Sequence, residues 1–493
     1  MTCRRDRNDD TTVAVGADTG IRAALRGVAG FVCRGCSACS VVTPDKTTLT
    51  TQQYTIFKKR KFQKKKPAKY FRHNTPPTRN LKTGCDKPHS TLPTELPMYL
   101  KLPKSESDTR LARLFSALET TDASWDTALV FGRINLYYLT GTIQDGVLVL
   151  RRNGEVQFFV RRSYERAREE SPLDAIHPMK SYRDMQEFLP ADLGRTFVET
   201  DQVPVAVLDR LQKYFRLDVI LPLDPVLLHL RAVKSPYELA FQRKAGRDHD
   251  HLLMEIVPEI LREGMSEAQL FGELYRAMMN MDHQGLVRFA GFGTEMQIGQ
   301  VGFGTTTLVP TCFDGPGGMM GASAGIPSVG GRDRTLAKGD MVFVDIGYGY
   351  CGYHTDKTQV YSFGGKLPEH ALALHEECIA VQKKTALLLA AGNIPSKIYA
   401  DVLAGLSPAL AENFMGYNSR RVSFLGHGIG LVVNEWPVIA RGFDSPLAEN
   451  MVIALEPKTG VRGVGTVGVE DTYVVGKSGG ECITGGGRPV LEL

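Results

Sequence analysis

No apolar run in these 493 residues approaches the roughly 20 needed to cross a bilayer, so no segment reads as a membrane-spanning helix. The opening MTCRRDRNDD is not followed by a compact apolar stretch and a small-residue cleavage site, which argues against a secretory signal. The nine cysteines are scattered without a paired spacing, so a disulfide framework is not expected and a reducing, cytoplasmic setting is. Cys33, Cys36 and Cys39 crowd together in CRGCSAC, but no fourth ligand stands at a suitable distance, Cys85 being far downstream; a zinc or iron–sulfur site is not expected there. There is no repeat of fixed period, which excludes a solenoid or propeller.

What is present is ordinary globular text, 43% hydrophobic and 23% charged, in a chain long enough for two or three domains. The charge is unevenly spread. Residues 1–94 hold 19 Lys+Arg against 6 Asp+Glu, a balance of +13, so the net +5 of the whole leaves −8 for the remainder. This basic leader, with FKKRKFQKKKPAKYFRHNTPP inside it, has poor periodicity and little core material. It reads as a disordered basic extension or an over-extended gene start ahead of Met98, with an anionic-surface or nucleic-acid tail as the functional alternative. The folded body is not expected to bind nucleic acid or membrane.

From residue 95 to 231 the text suits a compact α/β domain. TRLARLFSALETT has Leu111, Leu114, Phe115 and Leu118 at helical spacing. TALVFGRINLYYLTG reads as strand and turn, and GVLVLRRNGEVQFFV as a hairpin about Asn153-Gly154. In KSPYE, Ser235 is an N-cap, Pro236 the first helical residue and Glu238 the partner in a capping box. A boundary is placed at Arg231, with a second domain over 232–493.

That second domain carries the chemistry. Asp345 interrupts the apolar strand MVFVDIG, and Asp356 precedes a second strand around Thr358; an antiparallel hairpin can place both carboxylates on one face. A carboxylate inside an apolar strand is costly unless paired or bound to a cation. His427 in GHGIG, Glu456 before Pro457 and Glu470 in GTVGVEDTYVV are comparable anomalies. Four carboxylates and one imidazole can share two divalent cations, and hard oxygen donors with one imidazole suit Mn²⁺ or Co²⁺, with Zn²⁺ or Fe²⁺ as alternatives.

This pattern resembles the pita-bread metallopeptidases, the group of methionine aminopeptidase, aminopeptidase P, prolidase and creatinase. The ligand spacings of 11, 71, 29 and 14 residues, together with NLYYLTG and LRAVKSPYELAFQRKA, are most similar to the two-domain Xaa-Pro peptidase branch over about residues 96–493. The resemblance implies an α+β architecture, in which a pita-bread catalytic domain follows a smaller α/β creatinase-type domain. It implies a homodimer and a peptide or small-molecule substrate. It also implies roles: Asp345 on one metal, His427 and Glu456 on the other, Asp356 and Glu470 bridging. By the same resemblance a metal-bridged hydroxide would attack the scissile carbonyl, Glu456 would move the proton, and Thr358 would steady the site.

The sequence departs from that pattern on the substrate side. Ser328 and Asn434 stand where the resemblance leads one to expect histidines, and Gly468 where an arginine is usual. The glycine-rich FDGPGGMMGASAG is either an adapted pocket wall or a permissive loop. His354, two residues before Asp356, is a candidate substitute donor, although it is expected to point away; His249 and His251 are expected to be solvated. The leading reading is therefore an Xaa-Pro aminopeptidase or dipeptidase. The alternatives are a divergent hydrolase or lyase and a silent binding protein on the same fold.

Overall fold

The computed structural model describes residues 100–493, residue 292 apart. The expectations for residues 1–94, with Cys33, Cys36 and Cys39, lie outside the described residues.

The first region opens with the helix Lys104–Thr121, which buries Leu111, Leu114 and Leu118 on one stripe, as their spacing predicts. Six strands follow: β1 (Thr127–Val130), β2 (Gly146–Arg151), β3 (Val156–Val160), β4 (Ile176–Pro178), β5 (Asp192–Val198) and β6 (Arg216–Pro222). They form one mixed sheet in the order β4-β3-β2-β1-β5-β6. β2 and β3 are the antiparallel hairpin expected about Asn153-Gly154. Gly154 adopts φ +95°, and the Asn153 Oδ1 accepts from the Glu155 N–H at 3.1 Å, the turn chemistry that selects Asn-Gly. RINLYYLT is a helix, Arg133–Thr140, and not the turn read from the sequence. Gly141 in the left-handed region ends it, and Leu136, Tyr138 and Leu139 are buried against the same core as Leu114 and Trp125.

The helix Pro236–His251 begins with the capping box expected at Ser235: the Glu238 N–H donates to Ser235 Oγ at 3.3 Å, and the Ser235 N–H donates to Glu238 Oε2 at 2.9 Å. Beyond it lie β7 (Gly299–Phe303), β8 (Asp340–Tyr350), β9 (Tyr353–Phe363), β10 (Gly416–Tyr417), β11 (Arg420–Arg421), β12 (Phe424–Gly428), β13 (Glu435–Ala440), β14 (Val452–Leu455), β15 (Lys458–Val461), β16 (Gly465–Gly468), β17 (Asp471–Val475), β18 (Gly480–Cys482) and β19 (Leu491–Glu492). Two sheets matter for the site: β19-β9-β8-β7 and β13-β12-β14-β17-β18. Helices cover them. Leu253, Leu270 and Leu274 pack with Val301, Val344 and Ile346, while Cys378 of the helix Glu369–Leu387 packs with Ile453 and Tyr473. With one buried layer of side chains on their helical side, the sheets leave the other side for chemistry. The two are stitched together by polar groups: Thr358 and Glu470 form an isolated bridge, and Thr472 Oγ1 both accepts from the Asp356 N–H at 2.9 Å and donates to its carbonyl at 3.0 Å. Among the described residues no helix is long and apolar enough to cross a membrane.

His249 corrects its expectation. It is buried and not solvated, its Nδ1 lying 3.2 Å from Thr355 Oγ1 and its ring stacked on Tyr348. Burial first, then the nearby Lys357 and His283, hold its pKa well below the ordinary imidazole value. His251, one face away, is half-exposed beside Glu255.

Candidate metal centre

The β8–β9 hairpin pairs Asp345 with Thr358 and Gly347 with Asp356. Side chains alternate along a strand, so these four positions share one face and the two carboxylates point the same way. From the second sheet, β12 supplies His427, paired with Ala454 of β14; Glu456 follows β14, its N–H donating to the Leu425 carbonyl; Glu470 sits between β16 and β17. All five residues read from the sequence therefore converge, and they line one cavity of about 570 Å³. The four carboxylates are nearly fully buried. His427 Nε2 lies 3.5 Å from Glu456 Oε1 and 3.8 Å from Glu470 Oε1. Thr358 Oγ1 donates to Glu470 Oε2 at 3.3 Å, the steadying contact the resemblance implies.

Packing so many acids together out of water is unfavourable, and their titration records it. Burial, then Asp345, drives the Asp356 carboxyl well above its ordinary pKa; burial, then Asp356 and Glu456, does the same to Glu470. Ligand atoms of Asp356, His427 and Glu470 all lie within 4.8 Å of one another, a spread that one divalent cation about 2 Å from each donor can draw together.

Sequence reasoning missed a sixth member. Lys458, in β15, is fully buried, and its Nζ donates to Asp345 Oδ2 at 3.0 Å, Glu456 Oε2 at 3.0 Å and Glu470 Oε2 at 2.5 Å. Burial disfavours its charge, but Asp345, Glu470 and Glu456 outweigh that and keep it an ammonium. Lys458 therefore shares three of the five residues that the sequence reading assigns to two ions. The available signal was a Lys immediately after Glu-Pro inside strand-like text; a lysine in a strand ordinarily carries its head to solvent.

The substrate-side expectations divide. Asn434 lines the cavity, and its Oδ1 accepts from the Ala290 N–H at 2.7 Å, pinning residues 288–290 together with the Val433 N–H to Arg288 carbonyl bond. Ser328 does not line the cavity; it lies half-buried in the loop before β8. His354 shares the face of Asp356, because β9 is regular there, yet it too is outside the cavity lining: its Nδ1 faces the Gly430 carbonyl at 2.9 Å, and its Nε2 faces the Gln284 amide at 2.9 Å and the Arg288 N–H at 3.3 Å. Burial holds its pKa down to about 4. From the glycine-rich stretch, Phe313 and Asp314 line the cavity with Phe289, Met296 and Val433, making it largely apolar above the acidic floor. Gln300, opposite Asp345 in the β7–β8 pairing, also lines it, with both amide atoms buried and without a hydrogen-bond partner among the described residues.

Beside the centre, Glu435 of NEWP makes a second buried cluster. Arg231 Nη2 donates to its Oε1 at 2.6 Å and Lys234 Nζ to its Oε2 at 3.0 Å. Arg231 Nη1 continues to Asn135 Oδ1 at 2.8 Å, and Asn135 to Glu199 at 2.6 Å, tying the first region to the second at the segment where the boundary was expected.

Both regions of the chain match known protein families. Residues 240–477 match Metallopeptidase family M24 and residues 110–233 the Creatinase/Prolidase N-terminal domain. The chain is 26% identical to the Xaa-Pro dipeptidase of Pyrococcus horikoshii over 365 residues, 73% of this chain and 93% of that protein. Its fold is similar to the solved Xaa-Pro dipeptidase from Bacillus anthracis (TM-score 0.64, 20% identity, 78% of this chain and all of the other). It is similar also to a dipeptidase from Mycobacterium ulcerans (TM-score 0.62, 26% identity, 80% of this chain and 99% of the other). An M24 metallopeptidase domain thus follows a Creatinase/Prolidase N-terminal domain, and the chain belongs to the two-domain, pita-bread branch of these metallopeptidases.

Proposed function

We propose that the protein is a metal-dependent exopeptidase of the Xaa-Pro aminopeptidase or dipeptidase type. The observation that carries this reading is the convergence of Asp345, Asp356, His427, Glu456 and Glu470 on the floor of one cavity, supported by the dipeptidase relatives. Asp356, His427 and Glu470 are the residues to hold a divalent ion, with Mn²⁺ or Co²⁺ the expected choice. Bound there, the ion supplies Lewis acidity toward a carbonyl and acidifies water.

The chain's own groups do the rest. Glu456 is raised above the ordinary carboxyl range, by burial first and against the pull of Lys458 and His427. Standing between Lys458 and His427, it is the carboxylate expected to take a proton from water and return it to a leaving amine, as general base and acid. Phe289, Phe313, Met296 and Val433 give the cavity apolar lining of a character that suits a pyrrolidine ring. Gln300, paired with Asp345, adds a buried amide without a hydrogen-bond partner among the described residues close to the acidic floor. Division into an N-terminal domain over 95–231 and a catalytic domain over 232–493 fits the two matched segments.

The experiment is turnover of Xaa-Pro dipeptides and longer Xaa-Pro peptides by Mn²⁺- or Co²⁺-loaded protein. Release of the N-terminal residue is expected; no release from any of them contradicts the proposal. A second reading, hydrolysis or elimination on a small amidine or carboxylate, is favoured by Asn434, whose amide cannot carry a proton as an imidazolium does. Asn434→His separates the two: a large gain on Xaa-Pro peptides over a poor parent activity favours the second.

A further inference from the structure

We infer that Lys458 takes the place of one of the two metal ions, so that this centre holds a single divalent cation, on Asp356, His427 and Glu470. The inference concerns cation content, and it stands whether or not Xaa-Pro peptides are the substrate.

The geometry is that of a cation in a cation's position. An ammonium has three donor hydrogens, and the Lys458 Nζ has three carboxylate acceptors, one each from Asp345, Glu456 and Glu470. Nothing else in its hydrogen-bonding capacity is left over, and the side chain has no exposure to solvent. Glu456 and Glu470 each reach both ways: Oε2 goes to Lys458, shared in Glu470 with Thr358, and Oε1 faces His427 Nε2 at 3.5 and 3.8 Å. A carboxylate that spans two cations in this way needs an ion on the histidine side only, because the lysine is already on the other. On the histidine side the ligand atoms of Asp356, His427 and Glu470 lie within 4.8 Å of one another with Glu456 Oε1 beside them, and Lys458 takes only the other oxygen of Glu456 and of Glu470.

The backbone shows how the lysine reaches that place. Lys458 pairs with Gly468 across the β15–β16 ladder. Gly468 has φ +132°, and a Cβ built there would stand 2.4 Å from the Pro457 carbonyl oxygen and 2.5 Å from Lys458 Cα. The two strands therefore approach too closely for any side chain at 468, the position where an arginine was expected, and the cationic group comes from the facing strand instead.

The test is metal stoichiometry of the full-length protein after equilibrium dialysis against Mn²⁺, by elemental analysis, for the wild type and Lys458→Ala. The wild type is expected to hold one Mn²⁺ per chain with the spectrum of an isolated ion in electron paramagnetic resonance. Lys458→Ala is expected to double its content and show an exchange-coupled pair. Two ions or a coupled signal in the wild type overturns the inference, as does a wild type with none, or a folded Lys458→Ala that stays at one. Should Lys458→Ala fail to fold, Lys458→Arg keeps the charge and is expected to remain at one uncoupled ion; two ions there overturn the inference equally.

Discussion

Glu435, in β13, and Glu470, just before β17, are both buried carboxylates, and their surroundings treat them oppositely. Burial alone pushes each up. At Glu435, Arg231 and Lys234 reverse that and hold the carboxyl down at about 2. At Glu470, Asp356 and Glu456 add to it, and Lys458 offsets only part. One cluster is a closed ion pair, complete within the protein, that fastens the N-terminal region to the catalytic one. The other is deliberately short of positive charge. A buried carboxylate by itself therefore says little; the local charge balance separates a structural clamp from a cation site.

Four changes sharpen this contrast. The largest effect is expected at the open cluster. Glu470→Gln removes a ligand and a repulsive charge together, so turnover on whatever peptide the wild type cleaves falls on the order of 10⁴-fold, while the metal-free protein keeps or gains melting temperature. A large loss of stability there would make Glu470 a structural residue. Glu435→Gln should do the reverse: two buried cations lose their partner, at a cost of about 3–5 kcal/mol in denaturant unfolding, and the fraction still folded retains its metal.

Next comes pH. Burial holds His354 and His283 at about 4 in the folded protein, below the ordinary 6.5 of an exposed imidazole. The unfolded chain takes up these protons first, so their contribution is full above 6.5 and is lost as pH falls toward 4, up to about 3 kcal/mol apiece. Glu435 adds a separate loss lower down, between its ordinary 4.5 and about 2. In His354→Asn the upper loss should shrink and the lower persist; an unchanged melting profile from 6.5 to 4 counts against the neutral, hydrogen-bonded His354. The smallest effect is Thr358→Val, which removes one bond to Glu470 and should weaken metal affinity by about 10–100-fold, read by calorimetric titration with the fold intact.

Much of this was legible in the sequence, for physical reasons. The capping box at Ser235 is a local signal and needs no tertiary context. Asp345 and Asp356 share a face because strand alternation and a short turn at Cys351-Gly352 fix their register. NLYYLTG was misread because an eight-residue helix between two glycines has no long period to detect. His249 was misread because what packs on its helix face, Tyr348 and Thr355, comes from about a hundred residues away. The partners of Glu435 lie about two hundred residues upstream, at Arg231 and Lys234, so no spacing rule could join them. Lys458 carried only a weak signal for a different reason: its place depends on a glycine across the ladder that lets two strands close together.

The measurement that bears most directly on the account is anomalous X-ray scattering from crystals equilibrated with Mn²⁺. It predicts one peak, bounded by Asp356, His427 and Glu470, with Lys458 still against Asp345, Glu456 and the far oxygen of Glu470. Two peaks at metal–metal contact distance, or none at all, would contradict it.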